Sequence, residues 1–205
     1  GDALNTSNGG NVALGCNAAG AQTTGLNNVA IGCHAMAASV DDADNNIAIG
    51  KLAMGVGDVS GADNIAIGTT SADALTTGAC NIAMGINAYG TAAAGSKNIA
   101  IGDTAMGSSL VTGSGNVALG QATMDALTSG ACNVALGTNA LGASTTGCWN
   151  VAIGVLALGA ADTTGNDNVA IGRASADALT SGENNIAIGG YSLSGATTGC
   201  LNVAI

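Results

Sequence analysis

Few residues in this 205-residue chain could carry out chemistry, and its six cysteines are the most reactive of them. Cys16 and Cys33 each follow a glycine at equivalent places 17 residues apart, and Cys132 and Cys148 lie at nearly equivalent places. Their spacing matches no metal-binding motif, whereas six cysteines in a short chain are typical of an oxidising, extracellular setting. If equivalent places stack about 5 Å apart, each pair comes within disulfide range. The sequence therefore favours disulfides Cys16–Cys33 and Cys132–Cys148, with free thiols packed as small apolar side chains as the alternative.

Acidic residues indicate one candidate metal site and no catalytic site. The lone histidine, His34, is followed by Asp41, Asp42 and Asp44, whose carboxylates are the ligands that calcium prefers. We take this loop as the candidate calcium site. No combination of nucleophile, base and acid has the pattern of a catalytic centre, and a total of three Lys and Arg argues against a polysaccharide-cleaving enzyme. We therefore expect a protein that is not an enzyme and that uses no cofactor.

Attachment of sugar is the remaining chemistry that the sequence indicates. Asn5-Thr6-Ser7 is an N-glycosylation sequon. Pairs of threonines before a glycine, at Thr23 and Thr24 and again at Thr145 and Thr146, are candidate acceptors of O-linked sugar. These positions are predicted modification sites.

The overall charge excludes one large class of partners. The formal net charge is −10, and a surface that acidic repels the phosphate backbone of nucleic acids. No apolar run approaches the roughly 18 residues that a membrane-spanning helix needs. We expect neither a nucleic-acid partner nor a membrane span.

The element that must position all these residues is a short repeat, Asn followed by Val or Ile, Ala, then Ile, Leu or Met, then Gly. It begins every 17 or 18 residues from Asn11 to Asn202. A fixed short period indicates structural units stacked on copies of themselves. The frequent glycines and the two-residue spacing of Val and Ile argue against helix. We predict one all-β domain over residues 1–205, a β-solenoid of about twelve coils with two short strands per coil.

Stacking of these coils gives the recurring asparagines and alanines fixed roles. The asparagines are predicted to form a hydrogen-bonded ladder: Asn28, Asn46, Asn64, Asn81, Asn98, Asn116, Asn133, Asn150, Asn168 and Asn185. Strand alternation places Val and Ile on one face, predicted to point inward, and Ala on the other. The alanines are predicted to pack against a second chain, in a three-fold bundle: Ala30, Ala48, Ala66, Ala83, Ala100, Ala118, Ala135, Ala152, Ala170 and Ala187. A wall of the same chain is the alternative.

Two known families share this unit. The stretch Asn133–Leu141, followed by Thr145-Thr146-Gly147, resembles tandem repeats of bacteriophage tail fibres. The Val-Ala-Ile-Gly core is also similar to head repeats of trimeric autotransporter adhesins, although those repeats are typically shorter. The resemblance implies trimeric β-solenoid stalks that hold a binding tip away from a particle or cell. Six cysteines are unusual for a phage fibre.

These observations together predict a structural or adhesive fibre component at a virion surface or outside a cell. The chain opens and stops within a unit, which predicts either a longer repeat array or an end-to-end filament. Expected partners are copies of the chain, as a trimer or a filament, and a cell-surface glycan bound through regions outside this chain. The alternative is a solenoid that binds ice or glycan through a ladder of Thr and Ser side chains.

Overall fold

The computed structural model describes residues 9–39 and 43–205, and it contains twelve short strands and no helix in those residues. The strands are the apolar cores of the repeats. They are β1 (Val12–Leu14), β2 (Val29–Ile31), β3 (Ile47–Ile49), β4 (Ile65–Ile67), β5 (Ile82–Met84), β6 (Ile99–Ile101), β7 (Val117–Leu119), β8 (Val134–Leu136), β9 (Val151–Ile153), β10 (Val169–Ile171), β11 (Ile186–Ile188) and β12 (Val203–Ala204). Within the described residues, no helix is long and apolar enough to cross a membrane.

The twelve strands form one parallel sheet in which each strand pairs with the next strand in the sequence. The register is constant, so that Ala48 of β3 lies beside Ala66 of β4, and Ala66 lies beside Ala83 of β5. With strands about 4.8 Å apart, the sheet is about 53 Å long. The predicted β-solenoid is confirmed: one 17- or 18-residue unit of sequence makes one coil.

The second half of each coil differs from the prediction, because it is a run of turns rather than a second strand. In the coil that follows β2, Ala35 and Met36 are adjacent and both fully buried. A strand cannot bury two adjacent side chains on one side, since its side chains alternate. Here His34 and Met36 adopt left-handed φ angles of 60° and 49°, which lets the chain turn both buried side chains inward. The same pair of left-handed positions recurs along the solenoid.

The strand faces are also opposite to the prediction. The central alanine of each strand points into the solenoid, and Val, Ile, Leu and Met on either side of it face outward. The predicted packing of alanine against a second chain is therefore wrong, and the alternative, a wall of the same chain, is correct. The buried alanines are Ala30, Ala48, Ala66, Ala83, Ala100, Ala118, Ala135, Ala152, Ala170 and Ala187, each exposed by 1% or less. The interior is narrow enough that only a methyl group fits beneath the sheet.

The core fills its volume by pairing a large side chain with a small one within a coil. Leu75 is buried three residues after Ala72, and Leu179 three residues after Ala176. The reverse order occurs where Tyr89 precedes the buried Ala92. These side chains belong to one continuous buried cluster. Constant volume per coil keeps the packing dense along the axis.

Every third coil contains 18 residues rather than 17, which accounts for the 52-residue period of the sequence. In the 18-residue coils that begin at Asn46 and Asn98, the buried residue before the turn is Val59 or Val111, two places before the turn glycine. In the 17-residue coil that begins at Asn64 it is Leu75, three places before the glycine. The extra residue is absorbed in this turn, so the strand register is unaffected.

Candidate functional surfaces

The asparagines that begin each repeat form a buried ladder along the inside of the solenoid. The side-chain oxygen Oδ1 of Asn150 accepts the backbone N–H of Asn168 at 2.9 Å. The amide nitrogen Nδ2 of Asn150 donates to the carbonyl oxygen of Gly165 at 2.9 Å. Equivalent bonds join the other coils, as at Asn116, which accepts from Asn133 N–H and donates to Gly130. Each amide therefore ties the strand and the turn of the next coil to its own coil.

The ladder asparagines are all nearly inaccessible to solvent. Asn28, Asn46, Asn64, Asn81, Asn98, Asn116, Asn133, Asn150, Asn168 and Asn185 are each exposed by 1% or less. A buried amide with every bond directed to the chain itself has no group left for a ligand. The arrangement is consistent with the structural role predicted for these residues.

A second row of acceptors, which the sequence analysis missed, lies two residues before each ladder asparagine. Asp44 accepts the backbone N–H of Leu26 at 2.7 Å, and Asn166 accepts that of Cys148 at 2.8 Å. Ser114 accepts the N–H of Ser96 at 3.1 Å. The sequence signal was the recurrence of small polar residues at this position. The row holds the turns of successive coils together outside the ladder.

The six cysteines are all free, so neither predicted disulfide is formed in this structure. Cys16 and Cys33 lie on adjacent coils, where the N–H after Cys33 bonds to the carbonyl oxygen of Cys16. Cys132 and Cys148 are one position out of register, and the Cys148 thiol instead accepts the N–H of Ala131 at 3.3 Å. Cys148 thus belongs to the second row of acceptors.

The candidate calcium ligands are not brought together as a described site. Asp41 and Asp42 lie outside the described residues, and Asp44 already uses its carboxylate to accept the N–H of Leu26. Among the described residues, no three His, Cys, Asp or Glu side chains are grouped to hold a metal ion. The described part of the chain also encloses no pocket.

The hydroxyl groups of the turns form an exposed column, which we call the hydroxyl column. Its members directly precede the turn glycine or its equivalent: Thr24, Ser60, Thr77, Thr112, Ser129, Thr146, Thr164, Ser181 and Thr198. All are exposed, and one coil carries Ala94 instead. The threonine one residue earlier is engaged within the chain: Thr128 donates to the carbonyl oxygen of Thr145 at 3.0 Å, and Thr145 donates to Asp162.

The predicted sugar-attachment sites divide accordingly. Thr23, Thr24 and Thr146 are exposed, and Thr145 is half-buried with its hydroxyl on the Asp162 carboxylate. Asn5 lies outside the described residues. Thr146 is thus better placed than Thr145 to accept a sugar, because its side chain stands in the hydroxyl column.

Two ionisable groups are perturbed by burial. Burial raises the pKa of the Tyr89 hydroxyl well above its ordinary value, while a hydrogen bond from Asn98 at 2.8 Å acts in the opposite direction. Burial likewise raises the pKa of Asp73, against the lowering effect of the backbone N–H groups of Gly55 and Val56. Tyr89 and Asp73 stand on different parts of the coil, and neither faces a cavity in the described structure. Both are structural.

The outward side of the sheet is the remaining distinctive surface, and we call it the aliphatic face. It consists of the first and third residues of each strand, or the equivalent Ile205 after β12, and every one of them is Val, Ile, Leu or Met. In the middle of the sheet, Ile101 and Ile153 are each 37% exposed. All acidic and basic side chains of the described chain lie elsewhere.

Comparison with protein-family models, with curated proteins and with solved structures gives no match for this chain. The fold and the candidate surfaces are therefore argued from its own residues.

Proposed function

We propose that this chain is a non-catalytic structural component of a fibre, either the repetitive shaft of a phage tail fibre or an extracellular surface filament. One observation carries the proposal: a single in-register parallel sheet of twelve strands that is bonded coil to coil by a buried asparagine ladder. Such a stack has no interior space for a substrate and gains length with each repeat.

The mechanical role follows from how the coils are joined. Each coil contacts the next through strand pairing, through the ladder and through the second row of acceptors, as at Asn150 and Asn166. Bending the rod would stretch these three rows of hydrogen bonds together. A shaft needs this resistance, whereas an enzyme needs a cleft. In this proposal the partners are copies of the chain, and a glycan would be bound by regions outside it.

Immunogold electron microscopy tests the location and the role together. Antibodies raised against the purified chain are applied to intact source particles or cells, and to sections of the same material. We expect gold along projecting fibres on unsectioned material. Gold confined to the interior of sectioned cells would overturn the proposal.

A second candidate function is favoured by the hydroxyl column, which repeats at the strand spacing of about 4.8 Å. Regularly spaced, exposed hydroxyls such as those of Thr77 and Ser129 suit binding to a repeating surface, either ice or a glycan. Thermal hysteresis of the purified chain distinguishes the ice-binding form. Hysteresis that is lost in the double variant Thr77→Lys and Ser129→Lys would favour it over the fibre, and no hysteresis would remove it.

A further inference from the structure

The aliphatic face is an apolar surface that the chain itself does not cover. All twelve strands present an aliphatic side chain there at both outward positions. A strand position that faces water accepts Thr, Lys or Glu, and other exposed columns of this solenoid do so. The column that follows the strand glycine, for example, contains Lys51, Asp103 and Arg173. The uniform aliphatic composition is therefore a property of this face and not of the repeat as a whole.

We propose that the aliphatic face packs against the same face of a second copy of this chain. The proposal rests on the proposed function, since it supplies the contact through which copies of the shaft associate. Two sheets would stack about 10 Å apart, with the Ile and Val side chains of one inserted between those of the other.

The repeat spacing argues for a copy of the chain as the occupant. The face consists of side-chain rows about 4.8 Å apart, repeated over about 53 Å. Only a partner with the same spacing can place its rows between these rows over the whole length. A second copy has that spacing by construction, because its strands pair in the same constant register.

Charge and area support the same occupant. The face is uncharged although the chain has a formal net charge of −10, so two copies can meet there with their acidic side chains turned away. A face about 53 Å long and about 10 Å wide has a flat footprint of roughly 500 Å². The relief of the side chains increases its accessible area toward the roughly 800 Å² per partner of a standard interface.

The test introduces charge at the centre of the face. The double variant Ile101→Lys and Ile153→Lys places two cations three coils apart, too far apart to repel each other strongly. The control is the double variant Thr77→Lys and Ser129→Lys, which adds the same charge at the same spacing in the hydroxyl column. Sedimentation equilibrium measures the mass of each protein from about 1 to 100 µM, and far-UV circular dichroism checks that each is folded.

We expect the unmodified chain and the control to sediment at a multiple of the 19.2 kDa monomer. The aliphatic-face variant should be a folded monomer, with association weakened by at least about a hundredfold. Monomeric unmodified chain at 100 µM would overturn the proposal, as would association that the folded aliphatic-face variant retains. If the face variant is unfolded, Ile101→Thr with Ile153→Thr repeats the test without added charge. Gold labelling of fibres together with a monomeric chain would leave the proposed function intact and remove only this interface.

Discussion

At the scale of single residues, the ladder asparagine is the group whose loss should cost most relative to its size. In Asn116→Ala, the N–H of Asn133 and the carbonyl oxygen of Gly130 lose their partners inside the solenoid. Each unsatisfied buried group costs about 1–3 kcal/mol, so we expect a loss of about 2–4 kcal/mol in the free energy of unfolding. Chemical denaturation measures it. Thr146→Ala, at an exposed position, should change that free energy by less than about 0.5 kcal/mol, and equal effects would contradict the ladder's role.

Tyr89 gives a pH dependence with a defined sign. Because burial raises its pKa in the folded state, the unfolded chain loses the hydroxyl proton first as the pH rises. The contribution of Tyr89 to stability is therefore present below its ordinary pKa of about 10 and decreases above it. We expect the Tm to fall more steeply between pH 9 and pH 11 in the unmodified chain than in Tyr89→Phe. Parallel curves for the two proteins would show that Tyr89 ionises freely.

At the scale of the element, the glycine that ends each strand is required by both its backbone angle and its neighbour. Gly85 has a φ of 138°, and a Cβ there would lie 2.4 Å from the carbonyl oxygen of Gly102 on the next coil. Gly85→Ala should therefore lower the free energy of unfolding by about 2–4 kcal/mol, from the combined strain and overlap. A Cβ on Gly195 would meet nothing within 4 Å. Gly195→Ala is the matched control and should leave the Tm nearly unchanged.

The coil, its length and its register were predictable from the sequence, but the direction of the strand faces was not. Alternation shows that Val151 and Ile153 share a face and that Ala152 lies on the other, without showing which face is inside. The usual rule places the larger apolar side chains inside, and here it fails because the narrow interior admits only Ala beneath the sheet. The adjacent buried pair Ala35 and Met36 was a signal against a second strand, since period-two alternation forbids it.

The side-chain interactions outside the ladder were less predictable still. Asp44 was predicted to bind calcium, yet its carboxylate accepts a backbone N–H of the preceding coil. Cys148 was predicted to form a disulfide, yet its thiol occupies the same row of acceptors. Both predictions considered the chemistry of the side chain alone, while stacking places each one against an N–H group of its neighbour.

A further prediction at this scale distinguishes the two faces of a strand. Ala118 is fully buried and central in β7, so Ala118→Val inserts two methyl groups where the interior is already filled. Overpacking of this kind costs about 1–3 kcal/mol, which thermal unfolding would detect as a lower Tm. Val117→Thr, on the outward side of the same strand, should have a much smaller effect. The opposite order of Tm values would restore the original assignment of the faces.

At the scale of the whole molecule, the 52-residue period predicts which deletions the solenoid tolerates. Removing residues 98–149 joins Lys97 to Asn150, which has the same role as Asn98. Tyr89 would then accept its hydrogen bond from Asn150 instead of Asn98, and Gly165 would replace Gly113 beside Gly95. Because coils contact only their neighbours, the shortened chain should fold with the same far-UV spectrum per residue.

The control deletion breaks the period while removing slightly less of the chain. Removing residues 98–142 joins Lys97 to Ala143, so a turn segment follows where a strand should begin. The coils on either side of this join cannot bond through a continuous ladder, and we expect a lower Tm and a broadened or two-step unfolding transition. If both deletions melt alike, coil-to-coil register is not what stabilises the rod. If only the 52-residue deletion keeps a single sharp transition, the length of such a shaft can change in blocks of three coils without redesign of any core residue.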